Sequence, residues 1–178
     1  GIILIYSLTG SLNMADISMK AAGLSDKQLF IPMILIFTGI AVEAKLMPVR
    51  GWVKGVYSNA DRLKGSLFSS IFAAGIIFVF GRIFADVFSV SADLKIIIVI
   101  LCAVTFALGE VSAFKQTRIK KILLFSSVAQ AGLAALLLIS GLVFPAVLLI
   151  INNAVGKLIM FSSAGVMEEK YGTDDYNK

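Results

Sequence analysis

The sequence predicts an all-α fold, a polytopic bundle of transmembrane helices. Hydrophobic residues make up 58% of the 178 positions and charged residues only 15%. The mean hydropathy of +0.94 is far above that of a soluble globular domain. Several successive runs of about 20 apolar residues have the length that a helix needs to cross a bilayer core of roughly 30 Å. We therefore expect a single transmembrane domain.

The apolar runs predict five complete spans after an initial helix tail at residues 1–8. We place the spans at residues 28–47, 65–83, 94–114, 122–140 and 142–166, with a polar tail at 168–178. The first residues have the composition of the last turns of a span, and the chain has no initiator Met or signal peptide pattern. We interpret it as a fragment of a longer protein.

The first of these spans is expected to be a broken helix near Pro48. Proline removes a backbone donor and clashes one turn back, and broken helices often line ion sites in transporters. Glu43 and Lys45 precede this point and face different sides of the helix, so each needs its own partner. Alternatively the helix simply ends at Met47, with Lys45 reaching the headgroups and Glu43 one turn deeper.

The distribution of Lys and Arg predicts the orientation, because cytoplasmic loops carry an excess of both. The connection at residues 48–64 and the one at 115–121 lie on the same face and are both basic, which predicts that they are cytoplasmic. Their basic residues are Arg50, Lys54, Arg62 and Lys64 in the first and Lys115, Arg118, Lys120 and Lys121 in the second. Topology and anionic lipid then explain the net charge of +5, without nucleic-acid binding.

Missing residue types restrict the chemistry of the chain. The sequence has no histidine and one cysteine, Cys102. An iron-sulfur cluster, a Cys/His zinc site, histidine-ligated haem and an internal disulfide cannot be built from it alone. Ser–His catalysis and a phosphate-binding glycine loop are missing as well. We therefore predict no cofactor, no metal and no catalytic centre in this chain.

Lys157 is the strongest candidate functional residue. It lies too deep in the span 142–166 for its side chain to reach either interface, and a charge at a helix centre costs about 3 kcal/mol on insertion scales. Asn153 lies one turn earlier on the same face, beside Asn152 and Gly156, which indicates a polar stripe and a hydrated path. The alternative is that Lys157 forms a structural ion pair between helices.

Other polar positions give weaker signals. Glu110 lies near the end of its span, where an interfacial carboxylate beside Lys115 is expected. Ser126, Ser127 and Gln130 share one face of the span 122–140. Small and hydroxyl residues at helical spacing indicate close helix packing more often than conduction. Two such stripes are Cys102, Thr105, Gly109 and Ser112 in one span and Ser66, Ser69, Ser70 and Ala73 in another.

Five motifs occur in order at residues 6–16, 48–53, 60–69, 119–132 and 152–161 and include Pro48 and Trp52. Together they resemble the proton-conducting antiporter-like subunits of respiratory complex I, Mrp-type sodium/proton antiporters and membrane-bound hydrogenases. The resemblance implies about fourteen helices in two inverted repeats, of which this chain is the middle part, from the end of the sixth helix to the eleventh. It also implies other membrane subunits as partners and a bacterial or archaeal cell membrane.

Several positions depart from what the resemblance implies, among them Arg50 in place of a histidine and Asp61 in place of a proline. Glu43 occupies the place of a lysine five residues before the motif proline, and Ala73 the place of a lysine in the eighth helix. Arg118 replaces an aspartate and Asn153 a histidine, whereas Lys157 is retained. A divergent member of the family is therefore expected.

The main functional interpretation is an ion-translocating subunit of a multisubunit complex, carrying protons or Na⁺. Lys157 would be the central relay, Glu43 a switchable neighbour and Asn153 a residue that orders water between them. Whether the complex is a proton-pumping oxidoreductase is left open. The alternative is a structural or assembly paralogue that no longer conducts, which the changes at Ala73 and Asn153 favour.

Overall fold

A computed structural model describes residues 1–47, 62–88, 90–172 and 175. In these parts of the chain the backbone forms seven helices. They are α1 (Ile2–Thr9), α2 (Met14–Ala21), α3 (Asp26–Glu43), α4 (62–87), α5 (Ala92–Phe114), α6 (Ile119–Ile139) and α7 (Val143–Tyr171).

Four of the described helices, α4 to α7, are long and apolar enough to cross a membrane. A fifth span results if α1 and α2, which meet at a bend of 66°, are counted together. The chain is thus a helical membrane protein, as its composition predicts. Helix α3, which we expected to span, has 18 residues. Three of them are charged, Asp26, Lys27 and Glu43, which is more than a membrane-crossing stretch of this length is allowed, so α3 is not counted among the candidate spans.

The bend between α1 and α2 is stabilised by polar contacts. Gly10 ends α1 in the left-handed conformation, with φ 67°. Asn13 caps α2 by accepting a hydrogen bond from the Ala15 N–H at 2.9 Å. Lys20 reaches back from α2 to donate to the Thr9 carbonyl at 2.8 Å, which satisfies an acceptor at the end of α1. The sequence analysis did not predict α2, because its eight residues are amphipathic rather than apolar.

Helix α3 packs on α4 through aromatic side chains. Its first turn is closed by Gln28, whose Oε1 accepts from the Ser25 N–H at 3.0 Å. Further along, the Phe37 ring meets Phe84 edge to face at 5.9 Å and Phe80 at 6.4 Å, and all three rings are buried. This contact fixes the end of α3 against the middle of the bundle.

Helix α4 contains two π-helical stretches, Phe68–Phe72 and Arg82–Val87. Its first half packs against α7. Ser66, Ser69 and Ser70 are fully buried there, and Ser70 donates to the Ser66 carbonyl at 2.6 Å. The Ser69 and Ser70 hydroxyls therefore bond within their own helix, while the small size of the serines lets α7 approach, as the small-residue stripe predicts.

Helices α5 and α6 form the most extensive helix–helix contact in the described part of the bundle. A Cβ on Gly109 would lie 2.8 Å from Ala129, and a Cβ on Gly132 would lie 2.8 Å from the Phe106 backbone nitrogen. Only glycine allows this approach, so the stripe on α5 serves packing. Of the spans that the structure describes, α6 is the most deeply buried in the bundle.

The remaining predicted bounds agree with α4 to α6 within a few residues, whereas α7 runs further. It continues to Tyr171 before Gly172 ends it at φ 71°, so the first part of the expected polar tail is helical. Lys120 and Glu168 form an ion pair that ties this end of α7 to the start of α6.

Candidate functional site

The end of α3 is built around Lys45. The Lys45 N–H donates to the Val42 carbonyl at 3.2 Å and the Leu46 N–H donates to the Ala41 carbonyl at 2.9 Å. These two bonds define a Schellman motif, whose central residue is usually glycine because it is left-handed. Here that residue is Lys45, with φ 63°, the one non-glycine residue with positive φ among those described. The helix therefore ends at Glu43, before the expected break near Pro48.

Burial distinguishes the two charged residues at this break. The Lys45 side chain is enclosed, with 3% of its surface exposed, so it does not extend towards headgroups as a snorkelling lysine would. Glu43 is exposed. It lies with Lys45 along an open cleft of about 450 Å³, whose opposite wall is formed by Phe68, Phe72 and Ala73 of α4.

The chain beyond Lys45 is held by Thr105 of α5. The fully buried Thr105 hydroxyl accepts a hydrogen bond from the Met47 N–H at 2.9 Å and donates to the Leu101 carbonyl at 2.6 Å. It therefore satisfies a backbone donor that the helix end leaves free. The sequence analysis assigned Thr105 to packing, and only the tertiary structure shows this second contact.

Lys157 lies on the buried strip of α7, with 3% of its surface exposed. Its ammonium donates to the Leu123 carbonyl of α6 at 3.2 Å. The Ser127 hydroxyl donates to the same carbonyl at 2.9 Å. Because this partner is neutral, the hydrogen bond does not compensate the lysine's charge as a carboxylate would.

Electrostatic interactions connect three of the predicted residues. Lys45 and Lys157 lie close enough for their positive charges to repel each other. Glu110 of α5, which is half-buried, lies close enough to attract Lys157. The sequence analysis paired Glu110 with Lys115 and did not foresee the attraction to Lys157. Sequence spacing contains no signal for it, because the two residues are on helices that are not adjacent in the chain.

The Asn153 side chain is half-buried on α7, one turn before Lys157. Its Oδ1 atom is buried and finds no hydrogen-bond partner among the residues the structure describes. It faces a small cavity that is also lined by Gln130 of α6 and Ala73 of α4. The expected polar stripe on α7 is thus present at these two positions, Asn153 and Lys157, while Asn152 is exposed.

The remaining predicted residues have no described contact with the cluster of Lys45, Glu110, Asn153 and Lys157. Ser126 is half-buried on α6. Pro48 and Trp52 lie outside the described residues. No three His, Cys, Asp or Glu side chains come together as a metal site would require, within the same described ranges. The cluster contains the amines of Lys45 and Lys157 and the carboxylate of Glu110, which can bind and release a proton, and the amide of Asn153, which can hydrogen-bond to water.

Comparison with known proteins identifies the family. All residues 1–178 match the family described as "NADH:quinone oxidoreductase/Mrp antiporter, TM". The chain is 28% identical over 142 residues, 78% of its length, to NADH-quinone oxidoreductase subunit N of Deinococcus radiodurans. It is also 28% identical over 193 aligned residues, 100% of its length, to an Na(+)/H(+) antiporter subunit of Bacillus subtilis.

Two solved complexes contain a chain of similar fold. An archaeal respiratory membrane complex, the membrane-bound sulfane sulfur reductase, matches 99% of the chain with a TM-score of 0.90 and 29% identity. The Mrp complex from Dietzia sp. matches 98% with a TM-score of 0.86 and 24% identity, which shows the fold.

The chain spans 29% and 24% of the two relatives and 37% and 33% of the two structural matches. These proteins are membrane subunits of bacterial and archaeal multisubunit complexes. The ordered motifs, the helical bundle and the match over all 178 residues agree. The chain belongs to the NADH:quinone oxidoreductase/Mrp antiporter transmembrane family.

Proposed function

We propose that this chain is the proton-translocating part of an antiporter-like subunit, with Lys45, Lys157 and Glu110 as the relay. The single observation that carries this proposal is the pair of buried lysines, one in the turn that ends α3 and one on α7, close enough to repel each other. A proton bound to one amine then opposes the binding of a proton to the other, because the two charges interact strongly through a low dielectric. Groups coupled in this way can pass a proton stepwise.

The chemistry of the cluster favours the proton over Na⁺. Na⁺ needs several oxygen ligands, as other hard cations do. Two lysines would repel it, and Glu110 is the only carboxylate that the structure shows acting on Lys157. Lysine amines, in contrast, bind and release protons themselves. The name of the Bacillus subtilis relative includes both Na⁺ and H⁺. The preference for the proton therefore rests on the residues of this chain and not on that name.

Lys45, rather than Glu43, supplies the charged group at the break in the proposed relay. The resemblance places a lysine at position 43, and the Schellman turn explains how Lys45 can replace it. The left-handed turn at φ 63° redirects the chain, which buries Lys45 while Glu43 remains in the open cleft. We therefore assign Glu43 to the cleft and not to the immediate surroundings of Lys157.

A transport assay on the full-length subunit in its complex tests the proposal. Lys157→Met keeps an unbranched chain of similar length but removes the amine, so dissipation of a pH gradient in proteoliposomes should fall to background. Lys170→Met is the matched control, because Lys170 is exposed near the other end of α7 and should leave transport unchanged. Assembly of the complex is measured for both variants.

The alternative function makes the opposite prediction. If Lys157→Met assembles normally and transports protons at the wild-type rate, Lys157 is not a relay. If the intact wild-type complex transports no proton through this subunit, the chain is a structural paralogue whose buried lysines only contribute to helix packing. A loss of transport in both the Lys157 and the Lys170 variants would contradict the assignment to the buried cluster.

A further inference from the structure

A small cavity lies where α4, α6 and α7 meet. Its volume is about 10 Å³, and its polar lining consists of Asn153 from α7 and Gln130 from α6. Ala73 and Ala74 form the α4 side, and the rest of the lining is aliphatic. The cavity is therefore apolar on one side and has two amide side chains on the other.

Asn153 has an unmet hydrogen-bonding requirement in this cavity. Its Oδ1 atom is buried and has no partner among the described residues. Buried polar atoms in native proteins are nearly always bonded to protein or to ordered water. Rotation of the amide by 180° would put the Nδ2 donor in the same place, so a polar atom needs a partner in either orientation.

The size of the cavity fits one water molecule. A cavity must offer about 10–15 Å³ to the centre of a water-sized probe to hold a single water, and that water needs two or more polar partners. Asn153 and Gln130 provide two, each with an amide that can donate and accept. The volume leaves no room for a hydrated ion or an organic ligand.

We propose that this cavity is a binding site for one ordered water, held between Asn153 and Gln130 one helical turn from Lys157. Ala73 lines both this cavity and the open cleft that contains Glu43. The two spaces therefore share Ala73 as a wall residue. The water's part in conduction rests on the function proposed above, whereas its binding does not.

The neighbourhood of Lys157 explains why a water here matters for a relay. Among the described residues, Lys157 has one direct hydrogen bond, to the Leu123 carbonyl, which cannot accept and pass on a proton. Asn153 lies one turn away on the same face, so a water bonded to its amide adds a group that can, besides Glu110. The site thus extends the relay from α7 towards α4.

The first test is a cryo-EM map of the intact complex in which ordered waters are resolved. A peak within hydrogen-bond distance of the Asn153 and Gln130 amides is expected in the wild type. Ala74→Val fills the cavity and should remove the peak, and Asn153→Leu should remove it without adding bulk from α4. Ala85→Val is the matched control, because Ala85 is exposed on α4 and the peak should remain.

The second test compares transport in the same variants. Ala74→Val and Asn153→Leu should each slow proton transport about tenfold, the equivalent of one lost hydrogen bond. Ala85→Val should transport at the wild-type rate. Normal transport in a variant whose map lacks the peak would overturn the relay role of the water.

The two proposals fail in different ways. A wild-type map with other waters resolved but none at Asn153, or a peak that persists in Ala74→Val, overturns the water site whatever the transport result. A wild-type peak together with unchanged transport in Lys157→Met overturns the relay but leaves the water site intact.

Discussion

Substitutions of Lys45 can separate the effect of its strained backbone from the effect of its charge. A left-handed conformation costs a residue with a Cβ roughly 1–2 kcal/mol, and glycine avoids this cost. Glycine in turn loses about 0.5–1 kcal/mol through the greater freedom of its unfolded chain. At φ 63°, Lys45→Gly should therefore be about 0.5–1 kcal/mol more stable than Lys45→Ala, although both remove the same amine.

The assay combines thermal unfolding with proton transport in the full-length subunit. For a unit of 150–250 residues, this difference corresponds to a midpoint about 1–4 °C higher for the glycine variant. Transport should fall to background in both variants, since neither has an amine at position 45. If the relief of strain exceeds the loss of packing, Lys45→Gly would be more stable than the wild type but inactive in transport.

Ala44→Gly is the control for this comparison. Ala44 lies directly before Lys45 but has right-handed angles, φ −72° and ψ −1°, so glycine should destabilise it by about 0.5–1 kcal/mol. If Lys45→Ala is as stable as Lys45→Gly, the left-handed turn is not the conformation in the membrane. If either Lys45 variant transports protons at the wild-type rate, the amine is not part of the relay.

Two further predictions concern packing and a surface charge pair. Gly132→Ala should cost about 1–3 kcal/mol, because its Cβ meets the Phe106 backbone nitrogen at 2.8 Å, while Gly75→Ala meets nothing within 4 Å and should not destabilise. Equal thermal midpoints for the two variants would rule out the close α5–α6 contact. The ion pair of Lys120 and Glu168 should contribute less than about 1 kcal/mol in a double-mutant cycle with Lys120→Gln and Glu168→Gln, because the Glu168 side chain is 45% exposed. A larger coupling would mean that the pair is shielded from solvent.

The membrane-spanning helices could be predicted because the bilayer imposes both a length and an apolar composition on them. The same reasoning failed for α2, a short helix outside any apolar run that is capped by Asn13 and has Asp16 in its first turn and Lys20 in its last. It placed the end of the first span at residue 47, whereas the described helix ends at Glu43. Nothing in the sequence identifies Lys45 as left-handed, because lysine has no intrinsic preference for that conformation.

The candidate site could be predicted only in part, and the limit is set by the kind of information each residue contains. The burial of Lys157 followed from its depth in an apolar run, which is a local property. The closeness of Lys45, Glu110 and Lys157 depends on how three helices pack, and no spacing within one helix encodes it. The functional roles of these residues, and of Asn153, stay predictions for the experiments above.

The carbonyl of Leu123 has two side-chain donors, and this has a consequence for how freely Lys157 can move. When the ammonium leaves, the Ser127 hydroxyl still donates to the same oxygen at 2.9 Å. No bare acceptor is exposed in the apolar interior, so departure of the lysine adds no desolvation penalty at α6. The lysine side chain can therefore change rotamer without leaving a broken hydrogen-bonding group on α6.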